Sequence, residues 1–228
     1  MAVDLGLKLL ELSRNGHRFN VEDLQDSGQH AQLSSYVRGE FVSLTDGSLS
    51  MAGRQRLMLA EKLIHGGADP KRVSRFLAWQ EFEEFAEDIL KENGFSTRKH
   101  FVFTPTAGRR EIDVLAWSDT FILAIDCKHW VRGFSQGRMA QVAAAQIERV
   151  VALARRPELL HRLKVAQPVG RLIIPMILAL GEPSMRLAEG VPIVSVSKLL
   201  SFIYGVSPMD DTIRTVRVSY GGLQSRLT

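Results

Sequence analysis

Residues Glu111–Trp130 read EIDVLAWSDTFILAIDCKHW, and the rest of the chain is organised around them. The stretch fits two strands joined by a tight connection. Glu111–Trp117 carries Asp113. Phe121–Lys128 passes through Phe121, Ile122, Leu123, Ala124 and Ile125, as a strand buried on both faces does. That strand ends in Asp126, Cys127 and Lys128. A carboxylate and an ammonium there are costly to desolvate unless they bind something. Alternation puts Asp126 and Lys128 on one face and Cys127 on the other. With Ser118-Asp119 as a two-residue turn, Trp117 opposes Thr120, Asp113 opposes Ala124 and Glu111 opposes Asp126. Glu111, Asp113, Asp126 and Lys128 then share one face, with the backbones of Asp113 and Asp126 roughly 7–8 Å apart on the diagonal. A connection one residue longer would turn Asp113 to the other face.

Two short carboxylates at that spacing can bracket one hard cation, because Mg²⁺ prefers oxygen ligands, often one or two carboxylates with waters and a phosphate. A lysine beside the cation can orient a water for attack, and the cation stabilises charge on a phosphoryl group. The alternative is a solvated hairpin end with an ordinary Asp/Lys pair.

The chain has 228 residues, 45% hydrophobic and 24% charged, enough for two modest domains or one large one. One cysteine, Cys127, excludes an internal disulfide and a thiolate-rich zinc site, and the six histidines have no ligand spacing. The strongly apolar run Leu172–Leu180 is too short to span a bilayer, and the N-terminus lacks a signal-peptide pattern. The expectation is an intracellular, cytoplasmic protein without a membrane partner. Net charge is +4, but residues 96–171 hold 13 Lys/Arg against 6 Asp/Glu, an excess of +7, while residues 1–78 hold 10 against 9. The excess surrounds the candidate site, as a polyanionic substrate would require. Arg109, Arg110, Arg132, Arg138 and Arg149 are the candidate nucleic-acid contacts there; the alternative is charge that only aids solubility.

Upstream, Leu5–Leu12 has helical spacing and stops at Asn15-Gly16. A short helix over Val21–Gln25 and a third ending at Gly39 follow. Asp46-Gly47 between short alternating runs signals a hairpin, and a long helix runs from about Ala52 to His65. This order resembles a winged helix over roughly residues 3–65, and the run Leu49–Leu57 resembles the segment where the wing hands over to the last helix. The resemblance implies a third helix in the major groove, here offering Arg38 with polar neighbours, or else a protein-contact or dimerisation role. Asp69-Pro70 opens a connecting helix, Lys71–Leu77. The domains are placed at 1–75 and 76–228.

Trp79–Asn93 reads as a helix with a core stripe of Phe82, Phe85, Ala86, Ile89 and Leu90, Glu83 at its edge, and Gly94 as its C-cap. Phe95–Phe103 is a first strand. After the central pair comes a helix, Arg138–Ala154, with Val142, Ala145, Ile147, Val150 and Val151 apolar. Further strands fit Arg171–Leu180, Pro192–Val196 and Thr212–Tyr220, with a helix at Ser197–Tyr204.

Helix (Glu83), strand, strand (Asp113), strand (Asp126-Cys127-Lys128), helix, strand resembles the PD-(D/E)xK nuclease fold over roughly residues 79–180. The nearest likeness is to Mrr-type restriction endonuclease domains and archaeal Holliday-junction resolvases. Phe82-Glu83 with Gly94-Phe95 resembles their first motif and Glu111–Leu115 their second, with Ile112 in place of the name-giving proline. Asp126-Cys127-Lys128 resembles the third in its D-x-K form, and Gln146–Arg149 is similar to a glutamine-containing stretch of the next helix. The resemblance implies an α/β fold, a restriction-endonuclease-like mixed sheet flanked by helices, behind the small winged-helix domain. It also implies a Mg²⁺- or Mn²⁺-dependent DNA endonuclease leaving 5′-phosphates in restriction, repair or recombination, with no small-molecule cofactor, and a homodimer. Asp113, Asp126 and the Cys127 carbonyl would hold the metal. Glu83 would hold a metal-associated water or a second ion, Lys128 would activate the attacking water, and Gln146 would orient Lys128 or a phosphate. Glu111 is the rival carboxylate, or else a partner of Arg109 or Arg110. Cys127 reads most simply as a small core residue, and Trp130 as packing or, alternatively, base stacking. The competing functions are a non-catalytic DNA-binding regulator and an RNA-directed nuclease.

Overall fold

A computed structural model describes residues 3–14, 18–24, 27–105, 108–128 and 136–220. Asn15-Gly16, Trp130, Arg132 and the C-terminal residues 221–228 lie outside them. The chain divides into two compact units, one of the described residues up to Phe85 and one from Ala86 onward.

In the first unit, α1 (Val3–Leu12) buries Leu5, Leu7, Leu9 and Leu10. Where a helix from Val21 was expected, a two-residue strand β1 (Phe19–Asn20) leads into a single 3₁₀ turn, Val21–Asp23. The Asp23 carboxylate accepts the Asn20 N–H at 2.7 Å and closes that turn. Then come α2 (Ser27–Arg38), the hairpin β2 (Ser43–Thr45) and β3 (Ser48–Ser50), α3 (Gly53–His65) and α4 (Pro70–Ser74). The hairpin turns on Asp46 and Gly47, both with positive φ (50° and 77°), as a two-residue primed turn requires. The three strands pair antiparallel in the order β1-β3-β2. The helix α5 (Trp79–Glu92) runs through the boundary between the units.

The second unit is built on a seven-stranded mixed sheet. Strands β4 (Ser96–Phe103), β5 (Arg110–Trp117) and β6 (Ile122–Lys128) are antiparallel neighbours. The order continues through β7 (Leu172–Ala179) and β9 (Val191–Ser195), parallel to β6, to the short edge strand β8 (Leu187–Ala188). Of the expected strand Thr212–Tyr220, only β10 (Val216–Arg217) pairs, with the start of β7. Helices α6 (Gln136–Ala154), α7 (Pro157–Arg162) and α8 (Leu199–Gly205) complete the unit.

Strand β6 has a partner on each side, and Ile122, Leu123, Ala124, Ile125 and Cys127 are fully buried. Its neighbour β7 contains Pro175, which lacks a ladder donor. Beside β6, β7 pairs with β10 at Leu172–Ile173 and with β9 at Ile177–Ala179. Pro175 falls in the gap between them, where β7 has a partner on one side only.

The face of β6 bearing Ile122 and Ala124 packs on Val150, Leu153 and Ala154 of α6 and on Leu160 of α7. The buried stripe of α6 is Met139, Ala143, Gln146, Val150 and Leu153. The expected Val142, Ala145, Ile147 and Val151 are half-buried on its flanks. A glutamine therefore occupies a core position.

Glu87 of α5 fastens that helix to β4: its carboxylate accepts from Thr97 Oγ1 (2.8 Å) and lies 3.0 Å from Lys91 Nζ and 3.6 Å from Lys99 Nζ. Burial opposes ionisation, but the bonds from Lys91 and Thr97 and the charges of Lys91 and Lys99 outweigh it and lower the Glu87 pKa. A lowered folded-state pKa gives stability above the ordinary carboxylate range, lost as pH falls through the folded value. Glu87→Gln is expected to cost about 0.5–1 kcal/mol at neutral pH. Urea unfolding across a pH series should show that difference closing in acid.

Candidate active site at the end of the central strand

The connection between β5 and β6 is longer than the expected two residues. Trp117 pairs with Ile122 and Leu115 with Ala124, leaving Ser118–Phe121 as a four-residue turn closed by Ser118 N–H donating to the Phe121 carbonyl (3.1 Å). The Ser118 hydroxyl accepts Thr120 N–H at 3.3 Å and organises the turn from within. Two extra residues preserve parity, so Asp113 keeps its place on the face of Asp126. One step beyond the Val114–Ile125 pair, Asp113 comes level with Asp126 itself rather than with Ala124, and Glu111 passes beyond it.

Asp113 is also where regular pairing lapses. Lys99 pairs with Val114 and Phe101 with Ile112, but His100 and Asp113 between them form no pair. His100 has φ 48°, a left-handed conformation uncommon outside glycine but less so for histidine. Instead, Asp113 Oδ2 accepts the backbone N–H of Cys127 at 2.7 Å, so a side chain fastens the end of β6 to β5.

Asp126 is almost wholly buried, its side chain 5% exposed. Lys128 Nζ lies 2.9 Å from each carboxylate oxygen and donates to Oδ1, and Arg149 Nη1 donates to the same Oδ1 at 3.2 Å. Oδ2, buried, receives the Lys128 charge but no directed hydrogen bond. Burial raises the pKa of Asp113, and the Asp126 charge adds to the rise; the Cys127 N–H, Lys128 and Arg149 work against it. Two carboxylates that close favour a cation between them.

Gln146 holds Arg149 rather than Lys128. Fully buried, it donates from Nε2 to the Ala124 carbonyl (2.8 Å), and its Oε1 accepts from Arg149 Nη1 (2.7 Å). It therefore ties strand, helix and guanidinium together away from solvent. Arg149, expected only to touch nucleic acid, is part of the carboxylate cluster. The i, i+3 spacing of Gln146 and Arg149 on one helix face is the signal that would have found it.

Glu83 is buried on α5, in the part belonging to the first unit. Glu111 is exposed and pairs with His100 Nδ1 at 3.3 Å, not with Arg109 or Arg110. Arg110 approaches Glu148 at 3.9 Å. Arg109 and Arg138 are exposed, as is Arg38, whose Nε donates to the Ser34 carbonyl at 3.3 Å. Cys127 is buried, consistent with a core residue.

Among the described residues no group of three or more His, Cys, Asp or Glu is placed to hold a metal ion. The pair Asp113 and Asp126, with a main-chain carbonyl and waters, nevertheless suits Mg²⁺, which needs only one or two carboxylates. The incompletely bonded buried Oδ2 of Asp126 is the donor such an ion would use. Among the described residues no helix is long and apolar enough to cross a membrane.

Residues 75–158 match the Mrr catalytic-domain family, described as restriction endonuclease. An uncharacterised protein from Archaeoglobus fulgidus is 30% identical over 131 residues, covering 56% of this chain and 90% of that protein. Among solved structures, a Vibrio cholerae protein aligns at 13% identity and a TM-score of 0.34, over 87% of this chain and 48% of its own. Can2 from Sulfobacillus thermosulfidooxidans, solved with cyclic tetra-adenylate, aligns at 11% identity and a TM-score of 0.36, over 89% and 50%. The chain thus spans about half the length of these two structures. The mixed seven-stranded sheet flanked by helices is consistent with a restriction-endonuclease-like fold. Through residues 75–158, which include Asp113, Asp126 and Lys128, the chain belongs to the Mrr-type restriction endonuclease family.

Proposed function

We propose that this chain is a Mg²⁺- or Mn²⁺-dependent endodeoxyribonuclease. The observation that carries the reading is Asp113 level with Asp126, with Lys128 Nζ 2.9 Å from the Asp126 carboxylate. Asp113, Asp126 and the Cys127 carbonyl would hold the cation, which supplies Lewis-acid stabilisation of charge on the phosphate. The Cys127 N–H fixes the Asp113 carboxylate. Lys128, partly exposed, presents its ammonium to the attacking water and orients it, while Gln146 holds Arg149 against Asp126. Glu83 is assigned a supporting acidic role on the family resemblance. The +7 excess over residues 96–171 supports a nucleic-acid substrate.

The first unit supports a winged-helix reading. Its small sheet has the order β1-β3-β2, and the hairpin β2-β3, which follows α1 and α2, has the primed turn. In this reading α2, with Arg38, meets DNA or a partner protein. Restriction, repair or recombination would then be distinguished by the preferred DNA, and a dimer by its cutting of both strands.

The test is a cleavage assay on labelled linear, flapped and four-way DNA, beside RNA of the same sequence. Wild type is compared with Asp126→Ala and Glu83→Gln in Mg²⁺, in Mn²⁺ and in chelator. DNA cutting that requires the cation and disappears in Asp126→Ala is the expected result. DNA binding without cutting in any metal would overturn it in favour of a regulatory DNA-binding protein, and cutting of RNA alone in favour of an RNA-directed nuclease.

A further inference from the structure

We infer that Arg149 is an internal competitor for the cation: a tethered guanidinium that neutralises Asp126 while no metal is bound and so weakens metal binding in the absence of nucleic acid. This rests on the reading of Asp113 and Asp126 as cation ligands and adds to it a residue that sets how readily they load. Arg149 Nη1 lies 3.2 Å from Asp126 Oδ1, on the same carboxylate whose Oδ2 a metal would use. It is held there by the buried Gln146, whose Oε1 accepts from the same nitrogen at 2.7 Å and whose Nε2 is fixed to the Ala124 carbonyl at 2.8 Å. A guanidinium so anchored is no loose surface partner, because little side-chain freedom is left to lose when it pairs with Asp126.

Charge counting gives the consequence. With both carboxylates ionised, Asp113 and Asp126 face Lys128 and Arg149, two negative charges against two positive, so the cluster is already neutral. A divalent cation arriving at Asp126 meets two positive charges within a few ångströms, at low exposure where water screens them poorly. Loading is favoured only when Arg149 withdraws or when a phosphate brings compensating negative charge. Metal and nucleic acid are thereby made to arrive together, and the metal-free protein is kept from holding its ion idle. Lys128 contributes to the same repulsion; Arg149 differs in being pinned by a second buried side chain.

The test is direct Mn²⁺ binding to the full chain without DNA, by isothermal titration calorimetry. Four proteins are compared: wild type, Asp126→Asn, Arg149→Met and Arg149→Lys, with thermal unfolding confirming that each is folded. Arg149→Met is expected to bind Mn²⁺ about tenfold more tightly than wild type, as removal of one nearby like charge predicts. Arg149→Lys should lie closer to wild type, because the charge returns. A residue with a merely structural role would loosen the site and weaken binding, so equal or weaker Mn²⁺ affinity in Arg149→Met overturns the inference. Gln146→Met, which frees Arg149 without removing it, is expected to fall between wild type and Arg149→Met, and no gain there overturns the tether. If wild type and Asp126→Asn bind Mn²⁺ alike, the assignment of Asp126 as a metal ligand fails instead, and this inference falls with it.

Discussion

Lys128→Met is expected to slow DNA cleavage by on the order of 10²–10⁴-fold, the usual worth of a positioned proton-handling or water-orienting group. DNA affinity should change by less than about threefold, since one phosphate contact at most is lost among many. The expectation follows from where Lys128 sits. It stands on the last residue of β6, its ammonium 2.9 Å from both Asp126 oxygens and about a quarter exposed, so it faces both the buried carboxylate and the solvent from which water and substrate come. Asp126 retains Arg149 when Lys128 is removed, so the fold should tolerate the change. Lys128→Arg separates two roles. If the ammonium served only as a counter-ion, arginine would restore activity. If it must present compact donors to a water, the bulkier and permanently charged guanidinium will not. The measurement is the single-turnover cleavage rate at saturating DNA for the three proteins. A Lys128→Met rate within tenfold of wild type would remove Lys128 from the chemistry, and full rescue by arginine would reduce it to a charge.

The placement of that lysine was legible because β6 has no polar residue before Asp126: four apolar side chains in a row, Ile122–Ile125, fit a strand covered on both sides, and alternation does the rest. The register was not legible. A turn closed by Ser118 N–H on the Phe121 carbonyl, and organised by the Ser118 hydroxyl, takes four residues where the spacing suggested two, and the site survives only because two is the period of a strand. The lapse in pairing at Asp113 depends on His100, a residue of the neighbouring strand, and no local pattern in Glu111–Trp117 announces it. The α6 stripe was misplaced for a related reason. Gln146 occupies a fully buried position because a strand carbonyl and Arg149 one turn along the helix satisfy its amide, and the carbonyl is a tertiary partner. A hydrophobicity pattern passes over such a residue and rotates the face accordingly. Pro175 shows the converse: a residue that argues against a central strand is accommodated because pairing on one side of β7 is interrupted at that position.

The largest effect on stability is expected away from the carboxylates, at Arg56. This arginine is 1% exposed in the first unit, on α3, and nothing in its local sequence distinguishes it from the exposed Arg54 one half-turn earlier. Its Nη1 donates to the Leu10 carbonyl at 2.7 Å and to the Ser13 hydroxyl, its Nη2 to the Phe76 carbonyl, and its Nε to Glu81 Oε1 at 2.6 Å. One side chain therefore satisfies a carbonyl near the end of α1, a carbonyl after α4 and a carboxylate in the first turn of α5. Glu81 in turn accepts the Ala78 N–H at 2.8 Å, capping α5. Arg56→Met should cost about 3–5 kcal/mol, because it strands a largely buried carboxylate, the buried Leu10 carbonyl and the partly buried Phe76 carbonyl rather than merely deleting a bond. Arg54→Met, by contrast, should stay within about 0.5 kcal/mol of wild type. Urea unfolding of the two variants, of Glu81→Met and of Arg56→Met/Glu81→Met decides the matter. The double variant should be less destabilised than the two singles summed, since each single leaves a charge unpaired that the double does not. An Arg56→Met protein within about 1 kcal/mol of wild type would mean that water satisfies those groups as well as the guanidinium does, and the buried pair would lose its standing as the fastening of the first unit's helices.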